Sequence, residues 1–401
     1  CRIMRDFFIL DPKLLFYGFT IMFFANFGQT FFISLFNTEI RTFFNLTAGE
    51  FGLIYALGTL TSSLILVGFA KLIDHMDLRI YSFMISLGLA IACLSMYVEY
   101  ESIIFLYFII FGLRFFGQGS MSHAGVTTMA RYFDVNRGKA LSFASFGGQV
   151  GVMFLPIIVI KLLDIMDWRH VWLVASLTIL VFFIPLLFLS LRKQSSRHAR
   201  FKESIVQTTS SKKLTTREIV VHKNFYIYIP LSIAAPFIGT GLMFHQIFII
   251  TEKGWTVDML ANGYILLGIF SIIGLFIGGP VIDKFNTKKT VIFSLLPLSL
   301  AILVLIFFNS YLSMFIYLSL FGLNMGIGAP FIGSLWAELY NLESLGSVKA
   351  LLSACSVFAS ALSPLAFGYV IDLGFGILTI ATISFIIIFI STLLSIIYKN
   401  S

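Results

Sequence analysis

Charge is what this sequence has least of. Only 11% of its 401 residues are Asp, Glu, Lys or Arg, against about 25% in soluble domains. Hydrophobic residues make up 58% and aromatic residues 16%. That balance excludes a soluble globular enzyme. Cysteine is scarce too. Cys1, Cys93 and Cys355 show no pairing pattern, and two of them lie in apolar runs, where Cys acts as a small hydrophobe. A disulfide framework or a metal cluster is unsupported, and no cofactor is expected. No nucleophile–base set or phosphate-binding glycine loop is apparent. Gly147-Gly148 lies in an apolar run, not after a strand. No Asp or Glu stands in the middle of any apolar run. Proton-coupled carriers commonly use such a carboxylate as relay.

What the chain has instead is apolar length. A spanning helix needs about 20 apolar residues. Twelve runs qualify, at roughly 14–36, 51–70, 80–98, 103–128, 140–163, 171–190, 225–250, 260–281, 290–308, 311–335, 350–370 and 377–398. The expected fold is an all-α integral membrane protein of twelve transmembrane helices. The only long hydrophilic stretch, Leu191–Lys223, divides them six and six. The expected organisation is a bundle at 1–190, a linker at 191–223 and a second bundle at 224–401. The polar start, Cys1 to Lys13, leads into a full-length run without a small-residue cleavage site, so no cleavable signal sequence is expected. The numbering begins at Cys, so it is expected to omit the natural start.

Orientation follows the Lys/Arg bias. Of the 27 Lys and Arg residues, only Arg41, Lys161, Arg169 and Lys253 fall on the side away from the termini and linker, and Arg114 falls in mid-run. Termini and linker are therefore expected in the cytoplasm, in a plasma membrane (the inner membrane of a bacterium). The net charge of +8 belongs to these loops, so the expected surroundings are a lipid bilayer, with no nucleic acid.

The halves repeat. Phe111-Gly-Leu-Arg114 matches Phe321-Gly-Leu-Asn324, and Lys139-Ala-Leu-Ser142 lies opposite Lys349-Ala-Leu-Leu352, both at an offset of 210. Asp74 and Asp283 end corresponding runs at an offset of 209. Parallel repeats of this kind place a substrate at mid-membrane between the halves, with access alternating by rocking.

On these residues the chain resembles the major facilitator superfamily along essentially its whole length. Gly279, Asp283, Lys284, Lys288 and Lys289 fit the signature after the eighth span. The first copy departs from it, with Ala70 at the Gly position, then Asp74, His75 and Arg79, and Asp77 where a Gly is usual. Tyr132-Phe133, Arg137, Ala140, Ala144, Gly147 and Gly151 look like the monocarboxylate-porter and oxalate:formate-antiporter-like branch. The usual arginine of the porters' eighth span is absent. The resemblance implies two pseudo-symmetric six-helix bundles, a cavity lined by spans 1, 4, 7 and 10, and an inner latch built from Asp74, Arg79, Arg131, Arg137, Asp283 and Lys284. Plain solvated loop charges are the alternative for Arg137, Lys288 and Lys289. Independently of the resemblance, Gly147, Gly148 and Gly151 make a small face for close helix approach, and Pro156 can bend span 5.

Arg114 is the centre of the reading. A charge at mid-bilayer costs several kcal/mol, roughly 2.5–3.5 on insertion scales. Arginine's planar fork matches a carboxylate, so Arg114 is a candidate anion anchor; a helix-to-helix strut is the alternative. At helical spacing Gln118, Ser122 and Gly125 share its face. Asn26, Gln29, Thr30, Gln149, Asn324 and Tyr264 are the further candidate substrate contacts, each with an interhelical hydrogen bond or packing as its structural alternative. His123 and His245 are candidate proton carriers, since histidine titrates near neutral pH. Most of the 46 Phe residues are expected to pack or face lipid.

The expected activity is secondary active or facilitative alternating-access transport of a small organic anion, a mono- or dicarboxylate, by a monomer; a proton or a counter-anion is the candidate coupled partner, by symport or antiport. The alternatives are a carrier for a neutral or amphipathic solute with Arg114 structural, and a membrane sensor that has lost transport. The short linker and the short end after span 12 argue against the sensor.

Overall fold

The computed structural model describes residues 11–133, 136–198, 216–285, 293–340 and 345–397, without the side chains of 216, 217, 279, 283, 285, 329 and 345–347. Every regular element among the described residues is helical. Among the described residues ten helices are long and apolar enough to cross a membrane: Ala48–His75, Leu78–Tyr97, Ile103–Tyr132, Arg137–Leu163, Trp168–Ser190, Lys223–Phe244, Val257–Ile282, Tyr311–Leu339, Val348–Asp372 and Ile377–Ile397. They are spans 2 to 8 and 10 to 12. Span 1 is the pair Pro12–Gly28 and Thr30–Phe44, bent by 46°. The ninth place is held by a shorter apolar helix, Leu296–Phe307. The twelve expected runs are thus all helical, the first broken and the ninth short.

The chain divides into two compact units. One comprises Cys1–Phe44 and Leu57–Thr209, the other Asn45–Ala56 and Ser210–Ser401. Residues 45–56 pack with the second unit, which sequence order alone does not suggest.

In the first unit the small face of span 5 meets span 1. A Cβ on Gly147 would lie 2.1 Å from the Phe19 carbonyl oxygen, so only glycine lets the backbones come this close. The linker side is tied by a buried ion pair. Arg197 sends Nε and Nη2 to the two carboxylate oxygens of Asp11, at 2.6 and 2.7 Å. Asp11 also caps span 1, accepting from the Leu14 N–H at 3.1 Å.

In the second unit spans 8 and 10 approach through Gly322 and Gly326. A Cβ on either would lie 2.1 Å from a span 8 carbonyl, Leu267 or Ser271. Spans 7 and 10 are joined by Trp336, whose Nε1 donates to Ser232 Oγ at 2.9 Å. Residues 45–56 are held by Asp372. Its carboxylate accepts from the N–H groups of Ala48 and Gly49 at 2.9 and 2.7 Å, a negative charge seated where a helix N-terminus favours one.

Candidate functional site

Span 1 opens on Asp11 and Pro12, a side-chain cap followed by a proline whose missing N–H costs nothing there. Its α-helix ends at Phe24, tightens to a 3₁₀ turn over Ala25–Gly28, and leaves helical geometry at Gln29, whose backbone is extended (φ −81°, ψ 152°). A break in mid-span leaves backbone groups that must be satisfied within the protein.

Span 4 crosses at that point. Between Leu113 and Met121 it is wound as π-helix, a rare form often found at functional sites. Gly28 and Gly117 pack backbone to backbone: a Cβ on Gly28 would lie 2.1 Å from Leu113 O, and one on Gly117 2.7 Å from Gly28 Cα. Arg114, 2% exposed, donates Nη1 to the Gly28 carbonyl at 2.9 Å and Nε to Thr59 Oγ1 at 3.1 Å. Three spans therefore meet on one guanidinium.

Gln118, expected on the face of Arg114, lies inside this π-wound stretch. The carbonyl of Arg114 lies beneath Gly119, 3.3 Å from where its Cβ would be. Gln118 is half-buried, with its backbone N against Gly28.

The other sequence candidates of the first unit surround this crossing. Asn26 is buried and sends Nδ2 to Gly148 O at 3.0 Å and to Phe23 O at 3.0 Å, bracing span 1 against span 5. Thr30 is buried just past the break, and Gln29 is half-buried. Gln149 is half-buried, with a buried Oε1 that accepts no hydrogen bond. His123 faces Thr127, Nε2 to Oγ1 at 3.3 Å.

The second unit holds the cavity. It has a volume of about 390 Å³, within the range of about 300–1,000 Å³ usual for small-molecule sites. Spans 7, 10 and 11 and the turn before span 9 line it. Leu231, Pro236, Met243, Phe321, Met325 and Ile332 make the apolar wall, and Ser232, Thr240, Ser294, Asn324 and Ser356 are its polar groups. None of the lining residues is charged. Asn324, the repeat partner of Arg114, is buried and donates Nδ2 to Ser294 O at 2.8 Å. Tyr264 does not line it; its hydroxyl donates to Gln246 Oε1 at 2.5 Å. His245 stands at the interruption between Lys223–Phe244 and Gln246–Glu252, and its Nε2 donates to Pro364 O at 2.9 Å.

At the linker side of the first unit, Arg131 pairs with Asp74 and donates Nη1 to Ile73 O at 3.1 Å, joining span 4 to the end of span 2. Arg79 bonds both its own loop and the segment after span 6: Asp77, where the resemblance leads one to expect glycine, takes its guanidinium at 2.7 Å, and its Nη2 donates to Ser195 Oγ at 3.2 Å. Asp77 also caps span 3, accepting from the Arg79 N–H, and the hydrogen bond from the Arg79 side chain holds the Asp77 carboxyl below the usual carboxylate range. Arg137 is exposed at the start of span 5, and Lys284 is exposed. The side chain of Asp283, and Lys288 and Lys289, lie outside the described residues.

The sequence reading missed Thr59, the Gly28 carbonyl and the unpartnered Ser294 Oγ. A carbonyl carries no side-chain signal, and Thr and Ser are too common in apolar runs to stand out. A Gly-Gln pair in mid-run was the one visible hint of the break in span 1.

The Major Facilitator Superfamily model matches residues 18–278 and 241–400 of the chain. Among solved structures, two of a bacterial homolog to the human lysosomal transporter Spinster are similar in fold. Its inward-facing, unoccupied form gives a TM-score of 0.68 at 16% identity, over 97% of this chain and 94% of that one. Its inward-facing, occupied form gives 0.67 at 15% identity, over 98% and 96%. No curated protein matches the chain by sequence.

Proposed function

The chain belongs to the major facilitator superfamily, and on that premise we propose that it carries an uncharged or amphipathic small organic solute across the membrane by alternating access, with Arg114 as a brace. Membership makes it a multi-pass membrane transporter of small molecules and not an enzyme. The observation that carries the substrate reading is the commitment of Arg114: it is 2% exposed and spends Nη1 on Gly28 and Nε on Thr59. A guanidinium used to close a helix break is not presented to a ligand anion. The uncharged lining of the cavity supports the same reading, because an ion without a partner in an apolar site is costly.

The second reading is the organic anion, in line with the monocarboxylate-porter resemblance. One observation favours it: Arg114 is the only Lys or Arg in the middle of an apolar run. It requires Arg114 to leave Gly28 during the cycle. The membrane is taken to be the plasma membrane with termini and linker cytoplasmic, on the Lys/Arg bias. Asp74 and Arg131 form a latch on that side, and the carrier works as a monomer.

Counterflow in proteoliposomes tests the function. Vesicles are loaded with an unlabelled solute, and entry of the labelled form is followed for matched uncharged and carboxylate compounds, with and without a pH gradient. Accumulation of uncharged compounds alone is expected. Accumulation of carboxylates alone would overturn the substrate reading, and no counterflow of any compound would overturn the carrier reading.

A further inference from the structure

The start of span 2 is capped twice. The first N–H groups of a helix have no partner within it. Two of them are met by the span's own residues. The Thr47 N–H donates to Glu50 Oε2 at 2.8 Å, and the Glu50 N–H donates to Thr47 Oγ1 at 3.2 Å. This reciprocal pair in Thr47-Ala-Gly-Glu50 is a capping box. The two N–H groups between, on Ala48 and Gly49, are taken by Asp372 at the end of span 11, at 2.9 and 2.7 Å. Two carboxylates therefore sit on consecutive N–H groups of one turn. Glu50 belongs to the helix, and Asp372 comes to it from another span.

Small residues let Asp372 in. A Cβ on Gly49 would lie 2.6 Å from Asp372 Oδ2, and one on Gly368 would lie 2.5 Å from Ala48 O. One turn on, Phe51 and Tyr55 pack on Phe244, with ring centroids 5.0 and 4.7 Å apart. The turn is seated, yet its helix end does not depend on the seat. Span 12 makes the contrast. It starts at Ile377 with no acidic residue in its first turn, and the Ile377 N–H donates to Glu252 Oε2 at 2.8 Å. Without Glu252 that N–H loses its acceptor, whereas span 2 without Asp372 keeps its box. Charge decides how firmly the seat holds. A carboxylate is favoured at a helix N-terminus, and its bonds to N–H groups are roughly twice as strong as those of a neutral acceptor. Glu50 already stands there, and like charges within one turn oppose each other. Both carboxylates are exposed, so salt screens the contest.

We propose that Asp372 and Glu50 are opposed charges on the first turn of span 2. Asp372 seats the turn against span 11, Glu50 weakens that seat, and the capping box keeps the helix end intact when the turn lifts away. Both are positioning residues and not ligand contacts. Span 2 starts in the second unit and runs on in the first. The place of the seat in a transport cycle rests on the carrier reading above: each turnover breaks it and remakes it, and the balance of the two charges sets how readily.

Hydrogen–deuterium exchange of the full chain in proteoliposomes tests it, read by mass spectrometry on the peptide covering residues 45–56. Asp372→Asn keeps the shape and removes the charge, and is expected to speed exchange of that peptide about threefold or more. Glu50→Gln keeps a residue that serves a capping box and removes the opposing charge, and is expected to slow exchange about twofold. A helix end that needs both carboxylates only for stability would exchange faster in both variants. Ala48→Cys gives a second readout, because Ala48 is buried under the seat. Its alkylation by a membrane-impermeant maleimide, located by peptide mass spectrometry, is expected to speed up when combined with Asp372→Asn and to slow when combined with Glu50→Gln. In either readout, no rise with Asp372→Asn or no fall with Glu50→Gln would overturn the proposal. Neither readout needs turnover or a solute, so the seat can fail where counterflow succeeds, and the reverse.

Discussion

The guanidinium of Arg114 donates to the carbonyl oxygen of Gly28 at 2.9 Å, at the point where span 1 leaves its helical course. A second bond, to Thr59 Oγ1 at 3.1 Å, brings in span 2. The charge that looks least at home in the sequence thus closes the least regular part of the backbone. Leaving a buried carbonyl without its donor costs about 1–3 kcal/mol. Arg114→Ala is therefore expected to lose about that much stability, and Thr59→Ala, which leaves the Gly28 bond in place, clearly less. Thermal unfolding in detergent, compared across the two variants and wild type, checks the order.

The approach of span 1 to span 4 admits no side chain. A Cβ on Gly28 would meet Leu113 O at 2.1 Å, and one on Gly117 would meet Gly28 Cα at 2.7 Å. These are backbone atoms that cannot swing aside. Gly28→Ala and Gly117→Ala are expected to abolish folded protein or uptake. Gly148→Ala is expected to be tolerated, because its nearest neighbour would stand at an ordinary 3.8 Å. Expression, size-exclusion profile and uptake of the three variants provide the comparison.

Asn324 occupies the place that Arg114 holds in the first half, yet it faces a cavity with no charged lining residue. Asn324→Asp keeps the shape and adds a charge that nothing there offsets. Uptake at neutral pH is expected to fall about tenfold or more, while Asn324→Gln, longer but uncharged, loses less. Initial uptake rates of the two variants decide this.

Asp77 gives a pH dependence with a definite sign. Arg79, bonded to it at 2.7 Å, holds its carboxyl below the usual range. The pair's contribution is complete above the ordinary Asp value of about 3.9 and is lost as pH falls through the lower folded value. Both side chains are about one-third exposed, so the effect stays below about 1 kcal/mol. Arg79→Ala is expected to remove this contribution near neutral pH and to narrow the gap to wild type under acid conditions. Melting temperatures from pH 3 to pH 7 check it.

The architecture was legible because it depends on bulk properties. Apolar length marked all twelve runs, and the 210-residue offset marked the repeat. Spacing marked the small face of span 5, and Gly147 does sit against the Phe19 carbonyl. The details of the crossing were not legible. The π turn at Leu113–Met121 has no proline to announce it. The partners of Arg114 are a carbonyl and a threonine, which no charge pattern reveals. Asp77 was visible only as a departure from an expected glycine, and its carboxylate is what takes the guanidinium of Arg79.

The kinetics of Arg114→Lys test the central claim most directly. Lysine keeps the charge but offers a single compact head in place of the fork that reaches both Gly28 and Thr59. A brace sets how readily the carrier adopts its working geometry, so the maximal rate for the carried solute is expected to fall while KM stays within about twofold of wild type. A KM raised tenfold or more with the maximal rate preserved, and raised only for anionic solutes, would contradict the account and make Arg114 a ligand contact.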